Sequence, residues 1–173
     1  KHITYYFDDT GGIVAEKYRT KDKDFSWKGS AKSVRLFGSQ LWKPNKKISI
    51  TITEGEIDAM SVSQLQNNMY PVVSIPNGAA SAVKDVKKSI EWLLGFKEVV
   101  LCLDNDKVGL EAAQEVAKLF PPKFVRIASL PLKDANEMLR NGRGFDLKNC
   151  LRDAKPFTPD GIISGNDVMD RLK

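Results

Sequence analysis

Residues 98–109 read EVVLCLDNDKVG, an apolar run that ends in two aspartates one residue apart, Asp104 and Asp106. Two more carboxylates stand beyond similar runs: Glu54 closes KISITIT, and Asp134 follows KFVRIASLPLK. Such segments read as strands by β-branching and apolar continuity, and in open α/β sheets sites form beyond the carboxyl ends of the strands. Four carboxylates from three segments can therefore meet at one edge. Each also has an ordinary structural use. Asp106 and Asp134 precede helical stretches and suit N-caps, and Glu54 suits a surface turn. Brought together, however, these anions repel one another unless a cation neutralises them. A hard divalent ion with oxygen ligands meets that need, and Mg²⁺ characteristically takes one or two carboxylates together with phosphate oxygens.

Cations for a phosphate are also at hand. The net charge of +5 is unevenly placed: residues 17–47 hold ten Lys/Arg against two Asp, a local +8, which leaves −3 for the remainder. A basic segment ahead of a mildly acidic body reads either as a phosphate-binding surface or as a solvated lysine-rich one. A metal-bearing acidic cluster beside such a segment points to nucleotidyl or phosphodiester chemistry.

The elements that would position these groups follow from period and punctuation. ITYYFDDTGGIVAEKYR alternates around Asp9-Thr10-Gly11-Gly12, a β-hairpin pattern. Residues 28–47 carry Gly29, Gly38 and Pro44 and read as loop with short strand pieces. Trp27, Phe37 and Trp42 suit either base stacking or the anchoring of a small core, and the core reading is preferred. From Lys47 strand and helix patterns alternate: ISITIT, EIDAMSVSQLQ, YPVVSI, AASAVKDVKKSIEWLLGF, EVVLCL, VGLEAAQEVAKLF, KFVRIASL and DANEMLRNG. The fourth of these reads as one amphipathic helix with Val83, Val86, Ile90 and Leu94 on a stripe. Four such alternations predict an α/β fold with a mostly parallel sheet flanked by helices, preceded by a small basic β-rich subdomain. The expected boundaries are 1–46 for the basic subdomain, 47–154 for the catalytic domain and 155–173 for a linker rich in Pro and Gly.

TEGEIDAM (53–60) followed by LDNDKVG (103–109) resembles the TOPRIM module shared by primases and by type IA and type II topoisomerases. The signature is Glu-Gly after one strand and Asp-x-Asp-x-x-Gly after a later one. The likeness is closer still to the primase half of phage primase-helicases of the T-seven kind, to which the mitochondrial helicase Twinkle is related. YRTKDKDF, LFGSQLW, YPVVSIPNGAAS, LPLKDANE and PDGIIS carry it along nearly the whole chain. The resemblance implies a TOPRIM fold and template-directed synthesis of short RNA primers from NTPs on single-stranded DNA, with Mg²⁺ as cofactor and Mn²⁺ able to substitute. It implies that Glu54 is a general base or metal-associated group, that Asp104 and Asp106 join Glu54 as metal ligands, and that Asp134 is a further active-site acid. Lys17 and Lys23 fall where the family places lysines that contact nucleotide or primer; Lys21, Lys28, Lys32 and Arg35 join them as nucleic-acid contacts by proximity.

Primases of this kind carry a four-ligand zinc module and a hexameric helicase domain. Cys102, Cys150 and His2 cannot build the first, and no G-x-x-x-x-G-K-[ST] motif marks the second. The expectation is a polymerase core cut from a longer parent, acting in the cytosol of an infected bacterium and with no membrane partner. Such a core should extend preformed primers better than it starts new ones. Competing readings are a TOPRIM nuclease or topoisomerase fragment, a non-catalytic nucleic-acid-binding module, and a phosphoacceptor domain; the last leaves the lysine-rich first third unexplained.

Overall fold

A computed structural model of the chain describes residues 1–22 and 24–159. Strands β1 (His2–Phe7) and β2 (Ile13–Arg19) form the expected hairpin, and β3 (Phe25–Gly29) extends it to a three-stranded antiparallel sheet. Asp8 organises the turn, its Oδ1 accepting from the Thr10 N–H, the Thr10 hydroxyl and the Gly12 N–H at 2.7–2.9 Å. Gly11 supplies the positive φ of +85°. Tyr6 and Ala15 face inward and pack with Val34, Trp27 and Phe37. The Tyr6 ring lies 5.1 Å from Trp27 and 5.9 Å from Phe37, so these aromatics anchor the small subdomain.

The second sheet has the order β5-β4-β6-β7-β8, where β4 is Ile50–Thr53, β5 Val72–Ser74, β6 Val99–Cys102, β7 Val125–Ile127 and β8 Lys155–Pro156. The first four run parallel. Alternation sends successive side chains to opposite layers. Ile50, Ile52, Val99 and Leu101 pack against α2 (Ala82–Lys87), α3 (Ile90–Leu94) and α4 (Lys107–Ala117). Val72, Val100 and Cys102 pack against α1 (Glu56–Leu65), α5 (Ala135–Arg140) and α6 (Gly144–Arg152). Both faces are covered, which is why β4 and β6 carry no exposed residue. On the β5 edge, Phe37 exchanges two backbone hydrogen bonds with Ser74, and the Trp42 indole N–H donates to the Val72 carbonyl at 3.2 Å. Residues read as loop thus cover an edge strand.

Three details differ from the sequence reading. The stretch 79–96 is not one helix: a 3-10 turn at Ala79–Ser81 leads into α2, and the chain leaves helical geometry at Ser89, whose N–H turns back to the Val86 carbonyl. Val83 of the supposed stripe is exposed, while Val86 and Leu93 face the core. Helix α6 was not anticipated. Finally, Lys155 and Pro156, assigned to the linker, form β8 antiparallel to β7, and the Phe157 N–H donates to the Val125 carbonyl at 2.8 Å. A proline is tolerated at that outermost strand because its missing N–H faces no partner. The rest of the expected linker beyond residue 159 lies outside the described residues. Among those described, no helix is long and apolar enough to cross a membrane.

Candidate active site

The register Thr53↔Cys102 aligns the carboxyl ends of β4 and β6, so the next residues, Glu54 on one strand and Leu103-Asp104 on the other, leave the sheet side by side. The Asp104 N–H points at Glu54 Oε2, 3.4 Å away. α1 begins immediately after Gly55 and carries Asp58 in its first turn; Asp58 Oδ1 accepts the Asn136 N–H at 2.9 Å, which ties α1 to α5. Three carboxylates therefore share one end of the sheet, in surroundings that penalise their charge. Burial, reinforced by the charges of Glu54, Asp58 and Asp134, pushes the Asp104 carboxyl up to about 7, against the opposing pull of Lys133. Burial pushes Asp58 up to about 6. Glu54 is also raised above its ordinary value, first by burial and, despite hydrogen bonds from the Asp104 and Ala79 backbone, also by the charge of Asp106. The Lys133 ammonium is 3.8 Å from Asp104 Oδ2 but half-exposed, so it compensates only in part.

Asp106 and Asp134 have defined structural tasks. Asp106 caps α4, its Oδ1 accepting the Gly109 N–H at 2.9 Å, and Asp134 caps α5, accepting the Glu137 N–H at 2.7 Å. Asp134 also lines the cleft described below, whereas Asp106 does not. Gly109 has a steric reason. A Cβ there would stand 2.3 Å from the Asp104 carbonyl oxygen, so only glycine lets α4 start against the strand end that carries Asp104.

A cleft of about 890 Å³ opens over these acids. Its floor is Glu54, Asp58, Asp104 and Asp134; one wall comes from β2, β3 and the turn between them, with Lys17, Arg19, Lys21 and Phe25, and the other from Lys133 and Arg140. The expected lysines divide. Lys21 lines the cleft. Lys17 also reaches it, but its buried ammonium is held by Glu56 Oε1 at 2.8 Å and the Pro76 carbonyl at 2.6 Å. Glu56 accepts the Tyr6 hydroxyl as well, at 2.5 Å, so this buried trio fastens the antiparallel sheet to the parallel one. Lys28 pairs loosely with Glu16, 3.9 Å across the strands, and Arg35 pairs with Asp9 at 2.6 Å; neither they nor Lys32 line the cleft. Lys23 lies outside the described residues. Sequence reasoning did not single out Asp58, Arg19, Phe25 or Arg140.

Replacing Lys17 by Met should strand the buried Glu56 carboxylate and destabilise the fold by about 3–5 kcal/mol. Urea denaturation checks this, and the Lys17→Met/Glu56→Gln pair should cost clearly less than the sum of the single changes. Additive losses would mean that the pair does not couple the two sheets.

The donor set suits a hard divalent ion. Glu54, Asp58 and Asp104 offer only oxygen, and their proton affinities are raised first by burial and then by one another's charge, so a bound cation would be welcome there. No three His, Cys, Asp or Glu side chains among the described residues converge into a closed metal cage.

Comparison with known proteins places this geometry in context. The family profile described as Toprim-like matches residues 51–139. The DNA helicase/primase of Enterobacteria phage T3 is 42% identical over 171 residues, covering 99% of this chain and 30% of that protein. The crystal structure of the primase fragment of the bacteriophage T7 primase-helicase superimposes with a TM-score of 0.80 at 41% identity, over 85% of this chain and 61% of that one. The primase domain of the T7 protein bound to an RNA/DNA hybrid and dTTP, in a complex with the lagging-strand DNA polymerase, gives a TM-score of 0.84 at 41% identity, over 90% of this chain and 78% of that one. The chain spans between 26% and 30% of the length of the curated relatives it matches.

Proposed function

Given that the chain belongs to the Toprim-like family, we propose that it is the catalytic core of a DNA primase, which joins NTPs on a single-stranded DNA template into a short RNA primer. The observation that carries this reading is the cleft itself. Uncompensated carboxylates from adjacent strand ends form its floor, and cations on a separate sheet form its wall. The likeness to the T3 DNA helicase/primase and to the primase fragment of the T7 primase-helicase supports the same reading. In the reaction the 3′-hydroxyl oxygen of the growing strand attacks the α-phosphorus of the NTP; a new P–O bond forms, and the bond to the departing pyrophosphate breaks.

Divalent metal use is general in this family, and a bound ion would polarise the phosphoryl oxygens and acidify the attacking hydroxyl. Glu54 and Asp104 would hold that ion, with Mg²⁺ as the native species and Mn²⁺ able to replace it. Glu54 would also accept the proton of the hydroxyl, burial having raised its proton affinity above that of an ordinary carboxylate. Asp58 and Asp134 add negative charge to the same end, so the floor binds cations as a group. Asp106 acts through its cap, holding the start of α4 against Asp104. Lys21, Arg19 and Lys133 present positive charge to the triphosphate as charge builds on the leaving group. Lys17 keeps the basic wall in register with the acidic floor. In the parent protein, a zinc-binding module that reads the template and a helicase domain would complete the machine, acting in the cytosol of the infected host.

The test is incubation of the chain with labelled NTPs, Mg²⁺ and single-stranded DNA, with and without an annealed RNA primer. NTP incorporation that requires template and metal, and that is stronger on the preformed primer, is the expected result. DNA cleavage without NTP incorporation would replace this reading with that of a nuclease. Nucleic-acid binding as the sole activity, unchanged in Asp104→Asn, would replace it with that of a binding module.

A further inference from the structure

The inner face of the antiparallel sheet is used for two purposes. At one end it carries Tyr6 and Ala15, both buried against Val34. Strand alternation continues that same face along β2 to Lys17 and Arg19, and the pairings Lys17↔Trp27 and Arg19↔Phe25 add two aromatics from β3. Here the face runs past the edge of the core and becomes a wall of the cleft above Glu54 and Asp104. Trp27 is still partly covered, since the Tyr6 ring packs on it. Phe25, on the outermost strand, is 54% exposed although it points to the core-bearing side.

Its neighbours are cations. The Lys17 ammonium sits 4.8 Å from the Phe25 ring centroid and the Arg19 guanidinium 5.7 Å from it. Lys17 is held there by Glu56 and the Pro76 carbonyl, so the ring rests on a fixed mount. An exposed aromatic face beside positive charge, in the same cleft as an acidic floor, complements a ligand that is flat and apolar at one end and anionic at the other. A nucleotide has that form: a base for the ring, phosphates for the cations. The exposed half of the ring also leaves area on which a base can stack.

We propose that Phe25 is the stacking platform for the base of the incoming NTP in this cleft, a positioning role that none of the carboxylates or lysines fulfils. This rests on the primase reading above. Stacking on an aromatic tolerates any base, as a polymerase that must accept all four nucleotides requires.

The test compares Phe25→Leu, which keeps apolar bulk but loses the π face, and Phe25→Tyr, which keeps the face, with the unaltered chain in primer extension. Leu should raise KM for NTP about tenfold with kcat within about twofold, and Tyr should restore it. Inhibition by inorganic tripolyphosphate, which has no base, should be the same in all three. The fluorescence of 2-aminopurine riboside triphosphate should be quenched on binding to the unaltered chain and to Tyr, and less so on binding to Leu. An unchanged NTP KM in Leu would overturn the proposal. So would a rise confined to the template KM, or equal losses against tripolyphosphate and NTP. Failure of the unaltered chain to incorporate NTP at all would instead strike the primase reading.

Discussion

Replacing Asp104 by Asn is expected to lower NTP incorporation by about 10²-fold or more while making the metal-free protein more stable. The activity loss follows from removing a carboxylate that would hold the metal ion, whose electrostatic contribution is several kcal/mol. The gain in stability follows from the same crowding. Burial and the neighbouring charges of Glu54, Asp58 and Asp134 push the Asp104 carboxyl from its ordinary 3.8 up to about 7 in the fold. Between those values the native state binds more protons than the unfolded state, so stability falls as pH rises from about 4 to 7. Asp58, pushed up to about 6, adds to the slope over its lower part. Asn carries no charge at any of these pH values and removes the Asp104 share. Its loss of the half-exposed Lys133 partner costs little. In EDTA at pH 7.5 the variant should melt about 2–4 °C higher than the unaltered chain, and the gap should narrow at pH 5. Millimolar Mg²⁺ should raise the melting temperature of the unaltered chain at pH 7.5, by mass action on the folded state, and barely move that of the variant. A variant that melts lower in EDTA would mean that Asp104 is not strained, and one that keeps its activity would mean that it is not used.

That two-sided behaviour explains what could be read from the residues and what could not. The parallel sheet was legible because its signals are local. Apolar runs such as EVVLCL, and the helical patterns between them, specify strands covered on both faces with the acids at their ends. The capping uses of Asp106 and Asp134 were equally local, each needing only the N–H three residues on. What escaped depends on partners far along the chain. β8 exists because β7 offers an edge to Lys155 and Pro156. Lys17, a nucleotide or primer contact by the family resemblance, also has a partner that no local signal shows: its ammonium meets Glu56, 39 positions away. Asp58 was hidden in plain view. An aspartate in the first turn of a helix usually serves only the helix dipole, and nothing local tells that this turn opens onto Glu54 and Asp104. Phe25 needed the register of β2 and β3, since alternation alone does not say where the core stops.

The glycine of LDNDKVG offers the sharpest check on how the site is held. Gly109 sits in the first turn of α4 with an ordinary helical backbone, where alanine would normally be favoured by about 0.8–1 kcal/mol. The surroundings reverse that preference. An added Cβ would meet the Asp104 carbonyl oxygen at 2.3 Å and its carbonyl carbon at 3.0 Å, and these are backbone atoms that cannot swing aside as a side-chain tip would. Two responses remain: α4 withdraws from the end of β6, or the chain around Asp104 shifts towards the cleft. The first breaks the bond from the Gly109 N–H to Asp106 and loosens the packing of Ala112 and Ala113 on the sheet. The second moves the carboxylate and the N–H that faces Glu54. Gly109→Ala should therefore destabilise the fold by about 1–3 kcal/mol, as overpacking does, and should lower NTP incorporation by about 10²-fold, since a displacement near 1 Å at a reacting centre costs that much. Urea denaturation and primer extension measure the two effects separately, and a well-folded but inactive variant would favour the second response. Full activity with unaltered stability would show that the α4 start yields freely, and that the close approach of Gly109 to Asp104 plays no part in positioning the acid.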